Sequence, residues 1–446
     1  MAKDMTSGKP LKLIWNFTIP LLIGNIFQQL YNMADTFIVG RTIGVQALAA
    51  VGSTGSIVFL IIGFATGLTA GLAIPLAQRF GAKDYKGVKH SFYVSILISI
   101  AVAIVLTALS MIFCRQILEI MQTPSEIIDG AYDYLMVIFG GIFSSMAYNL
   151  LSNIFRSIGD AKTPLYFLVV ACIMNIVLDF VFIAGLGMGV EGAGYATVVS
   201  QIFSAIACVV YIWKKIPVLR LTKEDLVATQ KNIREHCRIS FPMAFQASII
   251  AIGTIMVQIA LNQLGPTSVA AHTAAQKIDQ LATLPMMSFG VTMATYSAQN
   301  FGAKKYDRIW LGVRECIKLS LTFAVVMGFI LNVFSPIFIR AFVGEGHEDV
   351  VELGRLFFLT NGTTYSFLSL LFIYRYTLQG VGKTFTPTLA GIMELIMRSV
   401  AAVVLSNMYG FVGATVANPM AWFGSMVPLM IAYFIFKNKI ENGEEQ

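Results

Sequence analysis

Long apolar runs alternate with short polar stretches along the whole chain. Twelve such runs fall at about 13–38, 54–78, 91–113, 131–155, 163–185, 191–213, 239–262, 270–298, 313–339, 354–378, 384–406 and 411–436. Each is apolar on most sides, unlike the single stripe of a surface helix, and each is long enough to cross a hydrocarbon core of about 30 Å as a helix. The pattern predicts an all-α membrane protein with twelve transmembrane helices.

The pattern also repeats. Residues 77–85 read AQRFGAKDY and residues 298–306 read AQNFGAKKY, identical at seven of nine positions and offset by 221. The same offset aligns GVQALAA (44–50) with GPTSVAA (265–271), and GVEGAGYAT (189–197) with GFVGATVAN (410–418). Two halves of six helices each insert the same way up, which makes them parallel repeats about an axis along the membrane normal. The expected organisation is an N-lobe over 1–213, a charged inter-lobe linker over 214–238 and a C-lobe over 239–446, arranged around a central cleft. Facing repeats that rock against each other point to a transporter.

Composition agrees. The 446 residues are 57% hydrophobic and only 12% charged, with a mean hydropathy of +0.74. A soluble domain needs more charge to cover its surface. The net charge of +7 raises the question of a nucleic-acid partner, but its distribution answers it. With the N-terminus placed in the cytoplasm, 25 of 31 Lys and Arg flank the inner ends of the spans, four lie outside (Arg41, Arg115, Arg340, Arg355), and Lys277 and Arg398 lie within. This is the positive-inside pattern, and it predicts both termini in the cytoplasm of a plasma-membrane protein. The opening MAKDMTSGKP is polar and reads as no cleaved leader. The five cysteines and four histidines are scattered, without disulfide or zinc spacing.

Ionisable groups inside spans are costly, about 2.5–3.5 kcal/mol at a helix centre on insertion scales, and mark function by default. Here they are Asp35, Asp179, Lys277, Asp279, Glu394 and Arg398. Asp35 lies six residues before Arg41 at the outer end of the first span, and Asp179 six before Gly185 at the outer end of the fifth. Both sit about 9 Å below the boundary at 1.5 Å per residue. Asn175 shares a helix face with Asp179, and Thr197 and Tyr134 lie at comparable depth. Carboxylates, an amide oxygen and a hydroxyl at one level suit Na⁺ or a shared proton. Asn25, Gln28, Asn32 and Asp35 make a polar stripe along the first span, with Tyr31 beside it; such a stripe lines a cavity or bonds neighbouring helices. Pro20, on the same span, is the candidate bending point. In the second half, Glu394 and Arg398 are spaced as an ion pair. Lys277 and Asp279 each need a partner from another helix, so this cluster is either structural or lines the substrate cleft.

Twelve spans in two halves, P…QQLYNMADT in the first, GDAKTP…NIVLD across the fourth and fifth, and AQxFGA after the second and eighth resemble the multidrug and toxic-compound extrusion (MATE) transporters along essentially the whole chain. The acid pair in the first half is similar to the DinF-type branch. The resemblance implies a secondary antiporter, not an enzyme, exporting small organic, often cationic compounds in exchange for H⁺ or Na⁺ by alternating access. It implies cation coupling at Asp35, Asp179, Asn175, Thr197 and Tyr134, with Pro20 and Tyr31 as the proline and tyrosine of the first helix. No cofactor beyond the coupling ion, no nucleic acid and a monomer in the lipid bilayer are expected. Two rivals are a lipid-linked oligosaccharide flippase of the same superfamily, which usually carries fourteen spans, and an intramembrane aspartyl protease. The protease needs a Gly-x-Gly-Asp motif, whereas Asp35 follows YNMA and Asp179 follows NIVL.

Overall fold

The computed structural model describes residues 3–121, 123–344 and 346–444. Among these residues the regular structure is helical throughout, without strands. Thirteen α-helices follow in order: α1 (Pro10–Thr42), α2 (Val45–Gly81), α3 (Tyr85–Ile120), α4 (Ile128–Gly140), α5 (Ile142–Ser157), α6 (Lys162–Asp179), α7 (Val190–Lys215), α8 (Gln230–Gln263), α9 (Pro266–Gly302), α10 (Tyr306–Val343), α11 (Glu348–Asn361), α12 (Tyr365–Gly380) and α13 (Phe385–Glu441). Among the described residues nine helical stretches are long and apolar enough to cross a membrane, α11 and α12 jointly forming one of them. The pair α4 and α5, bent by 48° at its break, makes a tenth. Two more passes complete twelve. The 37-residue α9 is long enough, although its Ser, Thr, His, Lys and Asp side chains dilute its apolarity. The 57-residue α13 is two helices joined at Gly410, whose φ of 58° and ψ of −133° are not helical.

The chain forms two compact units. The first contains Ile19–Ser248, and the second contains Met5–Thr18 with the chain from Ile249 onward. The division by contacts falls inside α1 and inside α8, ten residues beyond the 214–238 segment. That segment is short and docked: α7 runs to Lys215, two 3₁₀ turns follow at Pro217–Leu219 and Lys223–Asp225, and α8 begins at Gln230. Leu219 is buried, and Lys89 of α3 donates to the Asp225 carboxylate at 3.0 Å. In the first unit Gly67 and Gly71 of α2 lie against the start of α8. A Cβ on Gly71 would come within 2.4 Å of the Ser240 backbone, and one on Gly67 within 2.5 Å of the Met243 carbonyl. Two small residues one turn apart let helices meet backbone to backbone, as lipid-embedded helices do.

Inside each unit the neighbour pattern is the same. In the first, α2 packs on α3, α4 and α5, and α7 covers α4 and α5; in the second, α9 packs on α10, α11 and α12, and α13 covers α11 and α12. Backbone exceptions repeat at the offset of 221. Gly44 and Gly265 both have positive φ (124° and 94°), and Lys83 and Lys304 (61° and 55°) are the only non-glycine residues that do so among those described. The broken pass recurs too, at Gly141 in the first unit and Gly362 in the second. Each of these glycines faces a close neighbour, Val198 and Asn332 respectively, with no room for a Cβ.

Candidate functional site

The GDAKTP stretch sets the start of α6. Gly159 takes φ of 81°, and the Asp160 carboxylate then accepts from the backbone N–H of Lys162 (3.1 Å) and Thr163 (3.0 Å) and from the Thr163 hydroxyl (2.7 Å). These bonds satisfy amides that open a helix without partners. From that anchor, α6 carries Asn175 and Asp179 one turn apart on a single face, both fully buried. Immediately after Asp179 the helix widens into a π-helical turn, Phe180–Gly185. Such turns are rare and concentrate at functional sites.

Three other helices of the same unit complete the site. On α1, Tyr31 and Asp35 are also one turn apart, and Asp35 is buried. The side chains of Asp35 and Asp179 lie close enough to act directly on each other. An O–H···O contact between two carboxyls exists only while one of them carries a proton. The Tyr31 hydroxyl donates to Thr197 Oγ1 of α7 at 2.9 Å. The Asn175 amide, oriented so that each end meets a partner, donates to Asp179 Oδ2 at 3.3 Å and accepts from the Thr197 backbone N–H at 3.2 Å. The opposite orientation offers a 3.5 Å contact to Thr197 Oγ1. Tyr134 of α4 is buried and close enough to interact electrostatically with both aspartates, without a hydrogen bond to either among those between described residues. Ile38, Val39, Ile138, Ile183, Val190 and Ala193 pack around this group as one apolar cluster that includes Tyr134.

One oxygen of each aspartate, Oδ1 in both cases, is buried without a hydrogen-bond partner. Leaving a buried carboxylate oxygen unpaired is expensive. Two carboxylates with a neutral amide and hydroxyl are hard oxygen donors suited to a proton or a small monovalent ion. Among the described residues no group of three or more His, Cys, Asp or Glu gathers to hold a metal ion.

The remaining candidates divide. Gln28 and Asn32 on the polar face of α1 are exposed, and Asn25 and Tyr31 half-buried. α1 is continuous from Pro10 to Thr42 through Pro20; the proline lacks the N–H that would bond the Asn16 carbonyl, and it stands one residue past the boundary between the units. In the second unit Asp279 finds its partner on another helix, accepting from the Tyr365 hydroxyl at 2.6 Å, while Lys277 is exposed. Glu394 and Arg398 pair at 2.7 Å as their spacing predicts. Arg375 joins this pair. Its place near the end of an apolar run assigns it to the inner boundary, but it is buried in α12 and donates to the other Glu394 oxygen at 2.6 Å. The helix continues past it through buried Leu378, Gln379 and Gly380, which carries its side chain inward. The signal in the sequence was Glu394 itself, which has two oxygens to satisfy.

With this geometry in place, comparisons with known proteins become informative. A family model for MatE matches the chain twice, over residues 20–181 and 242–404, once per repeat. The probable multidrug resistance protein YoeA of Bacillus subtilis is 27% identical over 98% of this chain and 97% of its own length. The probable multidrug resistance protein NorM of Thermotoga maritima is 25% identical over 96% and 91%. The solved structure of a multidrug resistance MATE family transporter of the MOP superfamily superposes with a TM-score of 0.90, at 23% identity, covering 99% of this chain and 98% of that one. The twelve-helix fold, the double match and the relatives agree, and the chain belongs to the MatE family.

Proposed function

We propose that this protein is a secondary multidrug efflux antiporter that exports organic, often cationic compounds in exchange for H⁺ or Na⁺, with the cation held by Asp35 and Asp179. The observation that carries the reading is the buried carboxyl pair with one unpartnered oxygen on each member. The names of the relatives, multidrug resistance and multidrug export proteins, support the substrate class. Asn175, Thr197 and Tyr31 orient the pair, and Tyr134 closes one side of it. A cation arriving between the aspartates relieves their repulsion and the cost of enclosing charge in apolar surroundings. That relief differs between the conformations of the transporter, and a difference in binding free energy is all that coupling to substrate release requires. Pro20 is where α1 would accommodate the repacking. The basic residues at the inner ends of the spans support a plasma-membrane protein with both termini cytoplasmic, organised as lobes over 1–213 and 239–446 joined by 214–238 and acting as a monomer, with no nucleic-acid partner and no cofactor beyond the ion.

The test is efflux from proteoliposomes with a pH gradient and a Na⁺ gradient imposed separately. The wild type is expected to respond to one of them, and Asp35→Asn and Asp179→Asn to neither. Gradient-driven efflux at the wild-type rate in Asp35→Asn would sink the assignment.

A further inference from the structure

Away from the aspartate pair, a cavity of about 420 Å³ opens in the second unit between the start of α10 and the end of α13, lined by Lys304, Lys305, Asp307, Arg308, Trp310 and Glu441. That volume lies within the range of small-molecule sites. The apolar run of α10 begins at about residue 313 and the last run ends at about 436, so the cavity stands at the polar boundary of the spans. Three of its residues are cations, and their bonds cancel no charge. Lys305 Nζ donates to the Thr6 carbonyl at 2.9 Å, Arg308 Nε to Asn300 Oδ1 at 3.0 Å, and Arg308 Nη2 to the Gly8 carbonyl at 3.0 Å. Neutral oxygens satisfy these donors and leave the positive charge in place. Of the two acids in the lining, Glu441 is shared with Lys437 at 3.6 Å. Asp307 forms no ion pair with the three cations among the described residues.

The repeat shows what is unusual here. The offset of 221 places Lys305 at the position of Asp84, and the preceding Lys83 and Lys304 share the same left-handed backbone, with φ of 61° and 55°. In the first unit the Asp84 carboxylate accepts from the Gly87 N–H at 2.9 Å and closes the start of α3. In the second, Lys305 precedes α10 and no side chain bonds the amides there from that position. A helix start favours an anion. One half of the chain encodes that anion. The other encodes a cation in its place, with Lys304 and Arg308 beside it and a cavity alongside. Clustered Lys and Arg whose charge is not shared with an acid have the chemistry that recognises phosphate. Trp310 points to what carries the phosphate. Its indole stands edge-on to Tyr433 and Phe436, with ring centroids 5.6 and 5.9 Å apart. The cavity thus has an aromatic wall at the level where membrane proteins place Trp beside lipid headgroups.

We propose that Lys304, Lys305 and Arg308 form a phosphate-binding site at the membrane boundary of the second unit, taken by the headgroup of an anionic phospholipid. Lys305 and Arg308 also hold the segment Met5–Gly8, so an occupied site braces that segment against the start of α10. The site is separate from the aspartates of the first unit, and its occupant is a bound lipid and not cargo.

The test is native mass spectrometry of the full-length protein, purified in detergent and titrated with phosphatidylglycerol or phosphatidylcholine. The wild type is expected to bind one phosphatidylglycerol at least about fivefold more tightly than phosphatidylcholine. Lys304→Asn removes one charge and supplies a residue that tolerates positive φ; it is expected to weaken phosphatidylglycerol binding about fivefold. Lys83→Asn removes the same charge from the matching backbone of the first unit, and is expected to change that affinity by less than about twofold. Lys305→Asp gives α10 the built-in anion of α3. It is expected to abolish the preference for phosphatidylglycerol while keeping the helical circular dichroism of the wild type. Inorganic phosphate in place of chloride, at constant ionic strength and without added lipid, distinguishes the source. A melting temperature that rises in the wild type but not in Lys304→Asn makes the phosphate group sufficient, and an unchanged one makes the lipid headgroup the required form. Equal affinity of the wild type for the two lipids, or equal losses in Lys304→Asn and Lys83→Asn, overturns the proposal.

Discussion

Asp35 and Asp179 were legible because charge in an apolar run is costly, and counting residues from the ends of two spans placed them at one level. Asn175 followed from its one-turn spacing. What the sequence could not display was the bonding order among them, because that depends on which way α1, α6 and α7 turn. Tyr31 shows the difference: beside the polar stripe in the sequence, it is the hydroxyl that fastens α1 to Thr197 in the structure. Tyr31→Phe removes one hydrogen bond, worth about 0.5–1.5 kcal/mol, so the concentration of driving cation at half-maximal efflux is expected to shift by about twofold to tenfold, with folding retained. A second residue-scale outcome lies outside the membrane. The Asp225 carboxyl is held down to about 2 by the Thr222 hydroxyl, the Thr222 backbone N–H and Lys89. A carboxyl lowered by folding stabilises the fold above its unfolded value, about 3.9, and loses that contribution as pH falls through its folded value. Hydrogen exchange of residues 216–229, corrected for intrinsic rate, is therefore expected to show protection from pH 7 to about 4 and opening between about 4 and 2. Asp225→Asn should open the segment already at pH 7.

The helices themselves were legible as apolar runs, and the places where regular structure fails were not. Hydropathy does not register a broken pass at Gly141, a π-helical turn after Asp179 or a buried Arg375, because each arises from packing against neighbours. Glycine content was the available hint. In α2 the glycines differ in what they face, and the difference gives a graded expectation. At Gly63 a Cβ would meet only the Ala247 methyl, at 4.0 Å, whereas at Gly71 it would collide with the Ser240 backbone at 2.4 Å. Gly63→Ala should therefore leave the melting temperature nearly unchanged. Gly71→Leu should force α2 from α8 and cost at least the ~1–3 kcal/mol typical of overpacking, seen as a lower melting temperature in detergent. Equal melting of the two variants would show that α2 and α8 do not meet as described.

At the scale of the molecule, the duplication was plain in AQRFGAKDY and AQNFGAKKY, and the structure gives those two stretches parallel duties. In the first unit Arg79 binds Asn232 (3.1 Å) and Glu235 (2.7 Å) at the start of α8. In the second unit Asn300, at the matching position, donates to the Met5 carbonyl at 3.2 Å, ahead of α1, and the neighbouring Lys305 donates to that of Thr6 at 2.9 Å. Each unit thus contains a segment encoded in the other half of the chain. Fragments 1–213 and 214–446 expressed separately are each expected to be degraded or aggregated, and together to restore efflux; a stable, monodisperse 1–213 fragment would contradict this. The same exchange constrains birth on the ribosome. The Gly67 and Gly71 face waits uncovered until Ser240 and Met243 have been synthesised, and Met5 waits until Asn300 has emerged. Neither half can be proofread as complete while the other is unfinished, so quality control in the membrane meets this protein as a single late event.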